Sequence, residues 1–237
     1  MCVLAVIPAR MGSARVPAKN RLEIEPGISL AQQAVDCARW SGVVDHVVVS
    51  TDNPDALQIN GAHVSRRPSD LSGATADISA AVRHELEQSE RLLCRSFDYV
   101  VTLQPAVLAR SPLIVRRLVE SVRDGGARGG LTMCPVHPWI WSEIDGKASA
   151  PWLPGPYPRS QDCGRMWQEI NAVQVSSAAA VRYGKRWDFP LIIMDLPTWA
   201  ASLDVDTPED LAVARDIWPW AKPRLETWTG AIRQMSA

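Results

Sequence analysis

The sequence predicts an α/β fold: a mainly parallel sheet with helices on both faces. Three observations lead there. Short apolar runs recur at 2–8, 44–50, 98–104, 130–136, 170–176 and 190–194, and they lack the strict apolar–polar alternation of half-exposed strands. Helical patterns at 29–41, 76–93, 112–124, 177–184 and 208–218 separate them. The chain of 237 residues is long enough to bury one substantial core without disulfides or metal, so residues 1–237 are expected to form a single domain.

Taken in order, Cys2-Val3-Leu4-Ala5-Val6-Ile7 is a buried strand, and Ser29 supplies the cap of the first helix. Ser111-Pro112 opens another helix, with Pro112 where a missing N–H costs nothing. Thr207-Pro208-Glu209-Asp210 opens the last with a cap hydroxyl, proline at the first helical position and Asp210 as the capping-box acid. Residues 138–168 break the pattern: Asp145-Gly146-Lys147 is a turn, while Pro151, Pro154, Gly155, Pro156 and Pro158 exclude a regular element. So long an irregular stretch is expected to protrude as a lid or dimerisation arm. Trp139, Trp141, Trp152 and Trp167, four of ten tryptophans, flank or occupy it, as a surface closed by a second copy or a substrate would require.

Bulk properties narrow the function. Twenty-five basic and twenty-six acidic residues leave a net charge of −1, which favours neither a nucleic acid polymer nor an anionic membrane. Five widely spaced cysteines make neither a disulfide framework nor a C-x-x-C pair. No secretory signal is evident and no apolar stretch approaches ~20 residues, so a cytoplasmic protein is expected.

The most informative stretch is Ala9-Arg10-Met11-Gly12-Ser13-Ala14-Arg15-Val16-Pro17-Ala18-Lys19-Asn20. Three cations and a glycine sit just past the first strand, where open α/β sheets bind ligands. Transfer of a phosphoryl group needs its anionic oxygens neutralised and positioned, so Arg10, Arg15 and Lys19 are expected to hold a nucleoside triphosphate, with backbone N–H groups of Gly12 and Ser13 facing the phosphates. The loop is neither a Walker A nor a G-x-G-x-x-G motif. Asp204 and Asp206, two apart in an extended stretch, share a face and form a candidate Mg2+ pair beside the phosphates. Ser50-Thr51-Asp52 and Leu103-Gln104-Pro105 end two strands with polar groups, and Arg66-Arg67-Pro68 adds a cationic lip.

The order of A-R-x-x-S at 9–13, R-x-P-x-K-N at 15–20, Ser50-Thr51-Asp52, Arg67-Pro68-Ser69-Asp70-Leu71, Leu103-Gln104-Pro105 and the 202–211 run resembles the acylneuraminate cytidylyltransferase family, the synthetases of CMP-sialic acid and related CMP-activated acids. The resemblance implies a Rossmann-like nucleotide-diphospho-sugar transferase fold and a Mg2+-dependent reaction of CTP with an acidic acceptor, giving a CMP-conjugate and diphosphate. By position it assigns Arg10 and Lys19 to the basic pair and Asp204 and Asp206 to the metal, these four being the catalytic set. Ala9, Gly12, Ser13, Arg15, Asn20 and Arg67 complete the nucleotide side, and Gln104 lies at the acceptor. It also implies a homodimer exchanging the 138–168 arm.

The acceptor side departs from the family pattern. His137-Pro138 is followed by Trp139-Ile140-Trp141 in place of an early basic residue; Glu169-Ile170-Asn171-Ala172 stands where Arg-Pro-Asn-Gly is usual; and Gln104-Pro105-Ala106-Val107-Leu108-Ala109-Arg110 has lost two hydroxyls. Arg110, Arg159 and Lys185 remain as anion partners beside Asn171. A nonulosonic or ulosonic sugar acid is the expected acceptor, with a small phosphonate such as phosphonoformate as the alternative.

Overall fold

The computed structural model describes residues 1–13, 15–73, 75–137, 139–153 and 155–236; Ala14 of the cationic loop, and Pro138 and Pro154 of the arm, lie outside the described residues. In chain order the main elements are β1 (Val3–Pro8), β2 (Glu23–Glu25), β3 (Ile28–Ser29), α1 (Leu30–Trp40), β4 (His46–Thr51), β5 (His63–Arg66), α2 (Ile78–Leu93), β6 (Tyr99–Thr102), α3 (Pro112–Asp124), β7 (Gly129–Val136), β8 (Ser142–Ile144), β9 (Lys147–Ser149), β10 (Met166–Ser177), α4 (Ala178–Arg182), β11 (Leu191–Asp195), α5 (Pro208–Glu226) and β12 (Ile232–Met235).

Eight strands form one sheet in the order β12-β11-β7-β10-β6-β1-β4-β5. β1 pairs in parallel with both β4 and β6, β4 with β5, and β7 with β11, whereas β10 runs against β6 and β7, and β12 against β11. The fold is the expected α/β sandwich, with mixed strand direction. Central β1 is fully buried from Val3 to Ile7, as an apolar run without alternation requires. Its residues divide between two cores. Val3, Ala5 and Ile7 pack with α1, α3 and α5, while Leu4 and Val6 pack with Val82 and Leu86 of α2 and with Ala178 and Val181 of α4.

Local chemistry sets the helix ends. Ser29 Oγ accepts from Gln32 N–H and Ser111 Oγ from Ile114 N–H. Thr207 and Asp210 close a full capping box, in which Asp210 also takes the N–H of Asp206. α5 continues past the expected end at 218, through Pro219 and Pro223. Both prolines are exposed, so water serves the carbonyls they leave unbonded, while buried Trp218, Ala221 and Leu225 hold the opposite face. The hairpins β2–β3 and β8–β9 and the edge strand β12 were not expected; each strand is short and lacks a long apolar run. Folded about the expected Asp145-Gly146 turn, β8–β9 gives the 138–168 arm a regular element that Pro151, Pro154, Pro156 and Pro158, all further along, do not interrupt.

The reversal of β10 matters for the site. Because Met166 lies opposite Val136, the chain leaves and re-enters the sheet at the carboxyl ends of the parallel strands. The β8–β9 hairpin and its aromatic cluster therefore emerge at the end of the sheet where Arg10 follows β1. Trp139 stacks on Tyr157 at 4.6 Å, and Trp152 meets Trp139, Trp141 and Tyr157 edge-on at 5.5, 5.7 and 5.9 Å. Trp141 and Tyr157 remain 58% and 72% exposed, and Ile140, Ile144 and Leu153 are exposed beside them in sequence.

Candidate active site

The segment after β1 must turn sharply, and three bonds shape it. Ala9 N–H donates to Ser50 O at the end of β4 (2.8 Å), Met11 N–H to Asp52 Oδ1 (2.7 Å), and Asn20 Nδ2 to Arg10 O (2.7 Å). The left-handed backbone of Ala18, φ +52°, then delivers Lys19 back toward the crevice. The result is an open cavity of about 330 Å3 lined by Pro8, Arg10, Ser13, Arg15, Lys19, Asn20, Arg67, Ala76, Ile78, Gln104, Pro105, Ala106 and Asp206. Four cations thus share one cavity with a single carboxylate.

Lys19 Nζ donates to Val205 O (2.7 Å) and pairs with Asp206 (3.1 Å), and Arg15 reaches the other oxygen of Asp206 at 2.9 Å. Arg10 Nη1 donates to Gly73 O (2.7 Å) across the mouth. Asp206 lines the cavity, and Asp204 stands two residues away, bridged through its backbone to Val107. Desolvation, and then the charge of Asp206, hold the Asp204 carboxyl above its ordinary range. Such crowded negative charge is what a divalent cation relieves, and carboxylate oxygens are the hard donors Mg2+ takes. The residues therefore fit the ion, but incompletely. Among the described residues no group of three or more His, Cys, Asp or Glu could hold a metal. Phosphate oxygens would have to complete the coordination.

The raised Asp204 carboxyl has a consequence for stability. The unfolded chain ionises this group more readily than the folded one, so stability falls as pH rises through the carboxylate range, and the deficit is complete above the folded value. Asp204 is exposed, so solvent screens much of this effect: Asp204→Asn is expected to raise Tm only slightly at neutral pH, with the gain disappearing near pH ~3, where both states are largely protonated. A gain of equal size at both pH values would show that charge is not its origin.

Several expected contacts are corrected. Ala9 is fully buried and its N–H belongs to Ser50, while Ser13 N–H already donates to Met11 O at 2.9 Å; neither N–H is free for phosphate in this conformation. Gly12 faces open space. Buried Asn20 serves the loop backbone through Arg10 O, although part of it lines the cavity. Arg67 is deeply set: Nε donates to Ser50 Oγ and Nη2 to Ser50 O (both 3.0 Å), and Ser50 Oγ donates to fully buried Glu85 (2.7 Å). Ser50-Thr51-Asp52 thus braces the site from behind.

On the acceptor side only Gln104 of the five predicted residues lines the main cavity. Arg110 is 1% exposed, its guanidinium spent on the carbonyls of Gln104, Pro105 and Val107, so it supports the loop from beneath. Arg159 points to solvent in the arm, paired with Asp162 at 2.6 Å. Lys185 lines a small neighbouring hollow with Thr102, Gln174, Ser176 and Arg186, which meets the main cavity at Ile78. Asn171, at φ +52°, accepts from Arg186, and Arg186 also bonds Glu169 and Gln174. Sequence reasoning chose Lys185 and missed its neighbour Arg186. The available signal was Glu169, an acid that needs a cation beside it.

Residues 4–111 match a protein family described as cytidylyltransferase. The CMP-N,N'-diacetyllegionaminic acid synthase of Legionella pneumophila is 27% identical over 226 residues, 92% of this chain and 96% of that protein. The pseudaminic acid cytidylyltransferase of Campylobacter jejuni is 29% identical over 127 residues, about half of each chain (51%). In three dimensions the chain resembles a CMP:2-keto-3-deoxy-manno-octonic acid synthetase solved with CTP, at a TM-score of 0.69 and 20% identity, covering 93% of this chain and 99% of that one.

Proposed function

We propose that the chain joins CMP from CTP to a nonulosonic or ulosonic sugar acid, a reading supported by the match of residues 4–111 to a cytidylyltransferase family and by similarity to synthetases of CMP-activated ulosonic acids. The observation that carries this reading is the convergence of Arg10, Arg15, Lys19 and Arg67 on one cavity closed at the side by Asp206. An acceptor oxygen attacks the α-phosphorus in line, the bond to the diphosphate oxygen breaks, and the acceptor's hydroxyl proton passes to water. Arg10 and Arg15 bind the phosphates and Lys19 neutralises charge as diphosphate departs. Asp204 and Asp206 would hold Mg2+, which supplies further neutralisation at the phosphate oxygens. Gln104 faces the acceptor at the far end of the cavity.

Similarity to synthetases of CMP-activated sugar acids favours a sugar acid over a small phosphonate; the hollow beside the main cavity is only about 10 Å3 in this conformation, with Gln174, Ser176 and Arg186 bonded to one another. The test is a screen of purified protein with CTP and Mg2+ against ulosonic acids and small phosphonates, reading diphosphate release and the mass of the CMP product. Turnover confined to phosphonates would reject the sugar-acid assignment; no turnover with UTP, ATP or GTP is expected.

Two expectations accompany the proposal. A calorimetric Mg2+ titration should show weak binding to the protein alone and much tighter binding with CTP, because two carboxylates are a poor cage by themselves. Equal affinity in the two cases would argue for a preformed site. The exposed aromatic cluster around Trp152 should seal a homodimer, visible by sedimentation at micromolar concentration and weakened by Trp141→Asp. A wild-type monomer would make the arm a lid.

A further inference from the structure

The buried face of α2 carries one residue that packing does not explain. Ile78, Val82 and Leu86 recur at helical spacing and pack on Leu4, Val6 and Val48 of the sheet. Glu85 stands in the same stripe and is fully buried. An apolar side chain would fill that position without the desolvation that a carboxylate costs. One oxygen of Glu85 accepts from Ser50 Oγ (2.7 Å), and the other has no partner among the described residues. Its single bond leads toward the four-cation crevice.

Ser50 is the relay. Because its hydroxyl proton goes to Glu85, its lone pairs face Arg67, whose Nε donates to Oγ and whose Nη2 donates to the backbone oxygen (both 3.0 Å). The N–H of Arg67 is bound to Thr51 O (2.7 Å), so its backbone and side chain are both tied to the end of β4. The third nitrogen, Nη1, has no partner among the described residues and is not sealed from solvent, and Arg67 lines the crevice. Sheet order places Arg67 at the β4–β5 end of that crevice, with β1 between it and β6. Gln104 follows β6, and the Lys19–Asp206 pair lies beside it, Val205 N–H donating to Ala106 O (3.0 Å). Acceptor and departing diphosphate take the β6 end, which leaves the nucleoside to Arg67.

We propose that Glu85 is a positioning residue for nucleotide binding: through Ser50 it fixes the Arg67 guanidinium with Nη1 toward the nucleoside. The inference rests on the cytidylyl-transfer reading and adds to it a side chain that never touches the ligand. With two of its three nitrogens spent on one serine, the guanidinium cannot swing, and a single edge is left for recognition. The carboxylate also supplies the countercharge that a cation of 6% exposure needs. Without it the Ser50 hydroxyl is free to turn its proton toward Arg67, and the guanidinium loses its fixed bearing.

Glu85→Gln keeps the size of the side chain and removes its charge, and Ser50→Ala breaks the same chain from the other side. Calorimetric titration of CTP with Mg2+ into the full chain should show each variant binding about tenfold more weakly than wild type. Combining the two should cost little more than either alone, because one chain is broken twice. Inorganic tripolyphosphate is the control: it meets Arg10, Arg15 and Lys19 but not the nucleoside end, so its affinity should change less than about twofold. Should Glu85→Gln fail to fold by circular dichroism, Ser50→Ala carries the test. Unchanged CTP binding in a folded variant, effects that multiply in the double variant, or an equal loss of tripolyphosphate binding, as a loosened fold would give, would each overturn the assignment. Wild-type protein that does not bind CTP would reject the cytidylyl-transfer reading itself, so the two failures are told apart.

Discussion

Lys19→Ala is expected to lower kcat by about 10²–10³-fold while weakening CTP binding by no more than about tenfold. Lys19 is held at the cavity wall by Val205 O and Asp206, with its side chain only 14% exposed, so its charge acts at short range and in partly desolvated surroundings. Charge on the departing diphosphate grows as the bond to the α-phosphorus breaks, so losing this cation harms the transition state more than the bound substrate. Arg10→Ala should damage turnover and affinity together, because Arg10 spans the mouth and meets phosphate on arrival. Diphosphate release and CTP titration of the same preparations separate the two effects. An unchanged kcat for Lys19→Ala would move the leaving-group site elsewhere.

The second large effect is on stability. Arg67→Met should destabilise the fold by about 3–5 kcal/mol, because it strips the cation from a buried network and leaves fully buried Glu85 with Ser50 alone. One oxygen of Glu85 already has no partner. Adding Glu85→Leu should recover about half of the loss or more, since removing both charges costs less than stranding one. Urea unfolding of the single and double variants measures this coupling. A loss below about 1 kcal/mol for the single variant would show that the Arg67–Ser50–Glu85 chain contributes little to the fold.

The fold was legible because its signals are local. An apolar run without alternation marks β1, and Ser29, Ser111 and Thr207 each cap the helix expected of them. The prolines of α5 misled because a helix-breaking residue is tolerated where its freed carbonyl meets water. The clustering of cations in the crevice was legible for a related reason: three of its four, Arg10, Arg15 and Lys19, lie within ten residues of one loop, and chain connectivity alone keeps them together. The acceptor side draws on separate stretches, and sequence distance says nothing about which arginine arrives. Arg110 follows a loop of the site and ends beneath it; Arg186 follows α4 and reaches Glu169 on β10. Composition records that an arginine exists, while tertiary packing alone decides whether it faces ligand or carbonyl.

The pairing of Arg15 and Lys19 with Asp206 bears on which anions the protein tolerates. A simple anion such as inorganic phosphate can take these cations only by evicting a carboxylate that is tethered, and so always at high local concentration. It also strands Asp206 next to Asp204. A triphosphate that arrives with its own divalent cation avoids that penalty, because the evicted carboxylate acquires a new counterion in the same event. Under the proposed function the ion pair would act as a competitive filter, raising the threshold for stray phosphate and for rebinding of free diphosphate more than for a metal-loaded nucleotide. Product inhibition by diphosphate should accordingly deepen when Asp206 is removed, even as forward turnover collapses.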